Sequence, residues 1–96
     1  MIYAPSMDER YLEVCFRKGR ILAAYLYLPR GSDDRVESTE EVSPGLLLDR
    51  DATGRPMGLE ILSPAATSLS RINDVLSGLR QPLLEAGEVA PLGVAA

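Results

Sequence analysis

The chain has 96 residues, 46% of them hydrophobic and 25% charged, with a net charge of −4. That length holds one core, and burying only roughly 60–65% of the unfolded surface leaves stability modest, so a dimer interface would add useful burial. With no His and one cysteine, Cys15, an intrachain disulfide, a Cys/His zinc site and Ser–His or Cys–His catalysis are excluded. The acidic balance offers no field for nucleic acid or an anionic membrane. No stretch approaches the ~20 apolar residues that span a bilayer, and Met1-Ile2-Tyr3-Ala4-Pro5 has neither the basic segment nor the apolar run of a signal peptide. The expected compartment is the cytoplasm.

Residues 11–17, Tyr-Leu-Glu-Val-Cys-Phe-Arg, alternate with Leu12, Val14 and Phe16 on one face, which predicts a strand. Lys18-Gly19 predicts a two-residue hairpin turn into a second strand, Arg20 to Leu28. A regular register then sets Phe16 opposite Ile21, Val14 opposite Ala23 and Leu12 opposite Tyr25. The second strand is apolar on both faces: Ile21, Ala23, Tyr25 and Tyr27 on one, Leu22, Ala24, Leu26 and Leu28 on the other. Such a strand is covered on both sides. One cover is the domain's own core, and the other is the C-terminal helix or a second subunit. Leu22, Leu26, Leu28, Tyr25 and Tyr27 are therefore the candidate interaction surface.

Residues 30–35 form a polar loop, expected to be the most mobile connection. Val36 to Val42 is diluted by Ser38, Thr39, Glu40 and Glu41 and predicts a weak edge strand. After the turn at Ser43-Pro44-Gly45, Leu46–Leu48 and Met57–Leu62 flank the loop Asp51-Ala52-Thr53-Gly54. Pairing Arg50 with Arg55 sets Leu48 opposite Met57 and Leu46 opposite Leu59. Leu46, Leu48, Met57, Leu59 and Ile61 then share one face. Ser63-Pro64 ends the sheet, and Thr67 or Ser68 is the expected helix N-cap. Leu69, Ile72, Leu76 and Leu79, with Val75 beside them, give one amphipathic helix before Pro82. The tail from Pro82 has room for a short turn around Leu83, Leu84 and Leu92, with a frayed Gly-Val-Ala-Ala end.

The segments Glu40-Glu41-Val42, Pro44-Gly45-Leu46-Leu47-Leu48-Asp49, Gly54-Arg55 and Gly58-Leu59-Glu60-Ile61-Leu62 occur in the order and spacing of a known signature. They resemble the mostly bacterial family of small proteins catalogued as domain of unknown function 2283. Tyr11-Leu12-Glu13-Val14 is similar to that family's first strand. The resemblance implies a compact β-rich domain and no established activity. It also implies two additions in this chain: a segment like Arg20–Leu28, generally lacking in shorter relatives, and the helix and tail after the Gly-Leu-Glu-Ile-Leu strand. Some relatives look like antitoxin partners of small toxins, a suggestion that arises from gene pairing.

Asp49, Asp51, Thr53, Gly54 and Glu60 match the spacing of an EF-hand calcium loop. That loop needs a helix on each side, whereas strands are predicted here. In the regular register Asp49 and Glu60 stand roughly 13 Å apart, too far to share one ion. Glu60 is the candidate functional carboxylate: it projects from the face opposite Leu59 and Ile61, where a partly apolar surface can recruit a carboxylate as general acid or base. A solvated or Arg-paired Glu on an outer sheet face is the plainer account. Cys15 reads as a small buried hydrophobe. Tyr25 and Tyr27 alternate as a stacking platform would, but equally as core or interface aromatics.

The expected fold is α+β. An antiparallel β-sheet of about five strands, two hairpins plus a weak edge strand, packs with one C-terminal amphipathic helix. Residues 1–96 form a single domain, with the sheet over 11–62, the helix over 67–80 and the tail over 82–96. The expected function is a non-enzymatic protein-interaction module that homodimerises. The alternatives are an antitoxin-like partner of a small toxin, and a carboxylate-based small-ligand binder or hydrolase around Glu60. No cofactor, metal, nucleic acid or membrane is expected as a partner.

Overall fold

The computed structural model describes residues 10–29 and 35–92. The expected mobile loop at 30–35, except for Arg35, and the expected frayed end at 93–96 lie outside them. Five antiparallel strands form one open sheet: β1 (Tyr11–Arg17), β2 (Arg20–Tyr27), β3 (Ser38–Ser43), β4 (Leu46–Arg50) and β5 (Pro56–Ile61). Their order is β1-β2-β5-β4-β3, so β5 takes the centre and β1 and β3 are the edges. A 3₁₀ turn (Pro64–Ala66) then leads to α1 (Leu69–Gly78). The fold is α+β, with the helical segment on one face of the sheet.

The Lys18-Gly19 turn has positive φ at both residues (51° and 77°), the geometry of a type I′ hairpin whose twist matches its strands. Phe16 faces Ile21 as the turn dictates, but the expected register ends there. Leu22 is an extra residue on β2, a β-bulge, so Cys15 pairs with Ala23, Val14 with Ala24 and Leu12 with Leu26. The bulge turns β2 over relative to β1. Leu12 and Val14 therefore share a face with Ala24 and Leu26, not with Ala23 and Tyr25. The second hairpin carries the same kind of correction. Arg50 pairs with Pro56, and a bulge at Met57 sets Asp49 opposite Gly58, Leu48 opposite Leu59 and Leu46 opposite Ile61. Because the net slip is two residues, Leu46, Leu48, Leu59 and Ile61 keep their common face, and Met57 is buried as well.

Two rows of side chains cross the inner face in register: Leu12, Leu26, Leu59 and Leu48, then Val14, Ala24, Ile61 and Leu46. Ile72 and Leu76 of α1 pack on them, with Leu69, Val75 and Leu79 at the margin. The Ser68 hydroxyl caps α1 by accepting from Arg71 N at 3.1 Å. The Arg71 guanidinium donates to Ser43 Oγ and to the Pro44 carbonyl, fixing the helix to the β3–β4 turn.

The tail completes the cover. After Arg80, which reverses the chain at φ 59°, residues through Leu92 include α2 (Ala86–Val89) and bury Leu84, Val89 and Leu92 in the same core. Asn73 of α1 binds the Leu84 backbone on both sides, accepting from its N–H at 2.8 Å and donating to its carbonyl at 3.0 Å. Arg10, just before β1, donates to the carbonyls of Pro82 and Leu83 and lies 3.8 Å from Glu88. Glu85 and Glu88 form a capping box at the start of α2. No helix among the described residues is long and apolar enough to cross a membrane.

Candidate functional site: the outer face of the sheet

Strand alternation fixes what the other face presents. One row reads Tyr11, Tyr27, Gly58, Asp49 and Thr39 from edge to edge, and the next reads Glu13, Tyr25, Glu60, Leu47 and Glu41. Polar groups and tyrosines replace the aliphatic rows of the inner face. Tyr25 leans across Gly58, and its hydroxyl donates to Asp49 Oδ2 at 2.6 Å. Asp49 Oδ1 accepts from the Thr39 hydroxyl at 2.5 Å. Tyr27 donates to Glu13 at 3.2 Å, meets Tyr25 edge-on with ring centres 4.7 Å apart, and meets Tyr11 at 5.6 Å. Such aromatic contacts stiffen a surface beyond what their buried area gives. The glycine at 58 lets the Tyr25 ring lie where it does, because a Cβ there would overlap the ring unless the ring shifted.

Beside the tyrosines lies a concavity of about 400 Å³, lined chiefly by Glu13, Cys15, Ala23, Tyr25, Tyr27 and Glu60. Two carboxylates and two tyrosines line it together, residue types that suit a cationic group. Glu13 is engaged by Tyr27, whereas Glu60 makes no hydrogen bond or ion pair among the described residues.

The structure separates the five residues expected to form an interaction surface. Leu26 and Leu28 are 1% and 2% exposed within the protein's own core, so they are not surface residues. Tyr25 and Tyr27 are half-buried on the outer face, and Leu22 is exposed at the bulge. The doubly apolar second strand thus resolves into one face covered by α1 and the tail and one face carrying tyrosines. Glu60 projects outward as expected. Cys15, expected to be buried, is exposed on the same face.

The slipped register also brings Asp49 and Glu60 closer together. Asp49 faces Gly58, two residues from Glu60, so the pair stands about 7 Å apart along the strand instead of 13 Å. Both carboxylates lie on the outer face, but Asp49 is held by Tyr25 and Thr39. Asp51 is turned into its own loop, accepting from the Thr53 hydroxyl and from the backbone N–H of Thr53 and Arg55. The Thr53 hydroxyl and those amides hold the Asp51 carboxyl below its usual pKa. Among the described residues no group of three or more His, Cys, Asp or Glu converges as a metal site.

The two edges of the sheet differ in kind. β3 is guarded in the usual way, with Ser38, Thr39, Glu40 and Glu41 exposed and a bulge at Val42. β1 is a regular seven-residue strand, Tyr-Leu-Glu-Val-Cys-Phe-Arg. Three of the large exposed apolar side chains lie on its hairpin: Phe16 at 64% and Leu22 at 50% near the turn, and Tyr11 at 41% at the far end of the strand.

A family model described as protein of unknown function (DUF2283) matches residues 23–63. The chain therefore resembles that family across β3 to β5 and most of β2. The match begins inside β2, so the segment expected to be an addition lies largely within the family's region, and Tyr11–Val14 lies outside it. The helix and tail fall outside the match from residue 64 onward, as expected. No curated protein and no solved structure matches the chain.

Proposed function

We propose that this protein is a non-enzymatic interaction module that works as a homodimer joined through its first hairpin. The observation that carries the proposal is the β1 edge, unpaired among the described residues, with Phe16 and Leu22 beside it at 64% and 50% exposure. An exposed strand edge is a template for another strand, and clustered exposed apolar side chains mark a contact surface. A chain of 96 residues gains proportionately from the extra burial. The inner face of β2 is covered by the chain's own core, so the proposed contact lies at the hairpin edge. Sedimentation velocity at micromolar concentration is expected to show a dimer, and a strict monomer would sink the proposal.

The Glu60 concavity favours a second reading, a binding site for a small cationic ligand such as a guanidinium or primary amine. Glu60 supplies a carboxylate without a partner among the described residues, and Tyr25 and Tyr27 supply aromatic faces. Titration with ethylguanidinium followed by NMR is expected to shift the Tyr25 and Tyr27 ring signals in the wild type and not in Glu60→Gln. Identical shifts in both proteins would discard this reading. The antitoxin alternative gains no such support, since it expects a tail that folds only on a partner, and Leu84, Val89 and Leu92 are buried in this chain's own core.

A further inference from the structure

We infer that two copies of the chain pair β1 with β1, antiparallel and in the register that places Cys15 on the twofold axis, to make one continuous ten-stranded sheet. This rests on the homodimer proposed above and specifies its geometry. The strand order leaves the outer edge of β1 unpaired among the described residues. An antiparallel pair of identical strands is fully defined by the residue on its axis, so the candidate registers can be compared directly.

Charge decides between them. β1 carries one acid, Glu13, and one base, Arg17, both on the outer face with Cys15 midway. With Glu13 on the axis, two glutamates would stand directly opposite each other, which is destabilising. With Val14 on the axis, Glu13 faces the second copy's Cys15 and Arg17 faces its Tyr11; with Phe16 there, Arg17 faces Cys15. Only the Cys15 register sets Glu13 opposite the second copy's Arg17, and it does so twice by symmetry.

Two further features agree. Within each hairpin Arg17 stands opposite Arg20, like charges in direct register, and Arg17 has no ion pair among the described residues. The second copy's Glu13 offsets that repulsion. On the inner face the same register sets Phe16, 64% exposed, opposite the second copy's Val14, which borders the core. Each phenylalanine thereby extends the other copy's core.

The test is a charge swap with a cross-link beside it. Arg17→Glu alone, and Glu13→Arg alone, are each expected to raise the dimer dissociation constant at least about tenfold, because each sets like charges opposite one another at two places. The double swap, Glu13→Arg with Arg17→Glu, is expected to restore it to within about threefold. Antiparallel partners lie about 4.5–5.5 Å apart between Cα atoms, within disulfide reach. Diamide is therefore expected to cross-link the dimer through Cys15: two thiols lose two electrons and two protons as diamide is reduced to its hydrazine. Cys15→Ser is expected to abolish that band. A wild-type dimer that neither cross-links nor responds to Arg17→Glu would overturn the register and leave the homodimer standing. A strict wild-type monomer would remove both.

Discussion

Replacing Gly58 with alanine is expected to lower stability by about 1–3 kcal/mol, the usual cost of overpacking, and to detach Tyr25 from Asp49. The added methyl would overlap the Tyr25 ring at Oη, Cζ and Cε2, all closer than the 3.0 Å that real contacts respect. A ring is the far end of a side chain and would ordinarily swing aside. Here it is tethered at 2.6 Å to Asp49 and flanked by Tyr27 at 4.7 Å, so moving it breaks both contacts. For a domain of this size such a loss corresponds to a fall in Tm of about 4–8 °C per kcal/mol. Urea unfolding of four proteins tests the idea: wild type, Gly58→Ala, Tyr25→Ala and the double variant. The double variant is expected to be more stable than the sum of the single losses implies, because removing the ring removes the three atoms that the methyl would overlap. Strictly additive losses, or a Gly58→Ala protein as stable as wild type, would show that the ring does not rest on this glycine.

Gly58 also shows what kind of information the sequence carries. A glycine inside a strand pattern signals that something approaches the backbone closely, so position 58 was open to notice. Its occupant was not, because Tyr25 reaches it only when β2 lies beside β5, a pairing of residues distant in sequence. The strands themselves were legible from alternation, and the type I′ turn from Lys18-Gly19. The registers were not, and for a physical reason. A bulge adds one unpaired residue, and a period-two pattern detects that only when one face is polar. In β2 both faces are apolar, so the extra Leu22 left no trace. In the second hairpin the slip totals two residues, which preserves the face and conceals itself.

The consequences for the site follow from those slips. In the sequence either face of β2 is equally apolar, which leaves Leu26 and Leu28 as candidates for a contact surface; the Leu22 bulge assigns them to the core. Glu60 projects outward in both registers, since it alternates with Leu59 and Ile61 regardless of partner. Its distance from Asp49 changed by half because that quantity depends on register alone. The Arg10 and Asn73 clamps give no sequence signal, as each is a polar side chain meeting backbone groups 73 and 11 residues away, respectively. The short turn expected in the tail is α2, a single turn of four residues whose capping box has Glu85 in place of the usual Ser or Thr.

The resemblance to the family ends at residue 63, yet the inner face that segment builds is not self-sufficient. Leu26, Leu28, Leu46, Leu48, Leu59 and Ile61 are all buried, and the cover comes from α1 and the tail. Deleting residues 83–96 is therefore expected to remove the cooperative fold, not to trim an appendage. Three buried aliphatic side chains leave with it, Leu84, Val89 and Leu92. At about 1.5–3 kcal/mol each they represent roughly 5–9 kcal/mol, against a total stability of about 5–15 kcal/mol for an ordinary domain. Asn73→Ala provides the graded version. It leaves the Leu84 N–H and carbonyl without their partner, at a cost of about 1–3 kcal/mol. That variant is expected to stay two-state while the Leu84 amide exchanges faster with solvent. Circular dichroism through a urea titration reads the first effect and hydrogen exchange the second. If the truncated chain unfolds with an unchanged midpoint and slope, the tail is not part of this core. Residues 83–96 would then be free to wrap a partner, and the antitoxin-like reading would regain the support that the buried tail denies it.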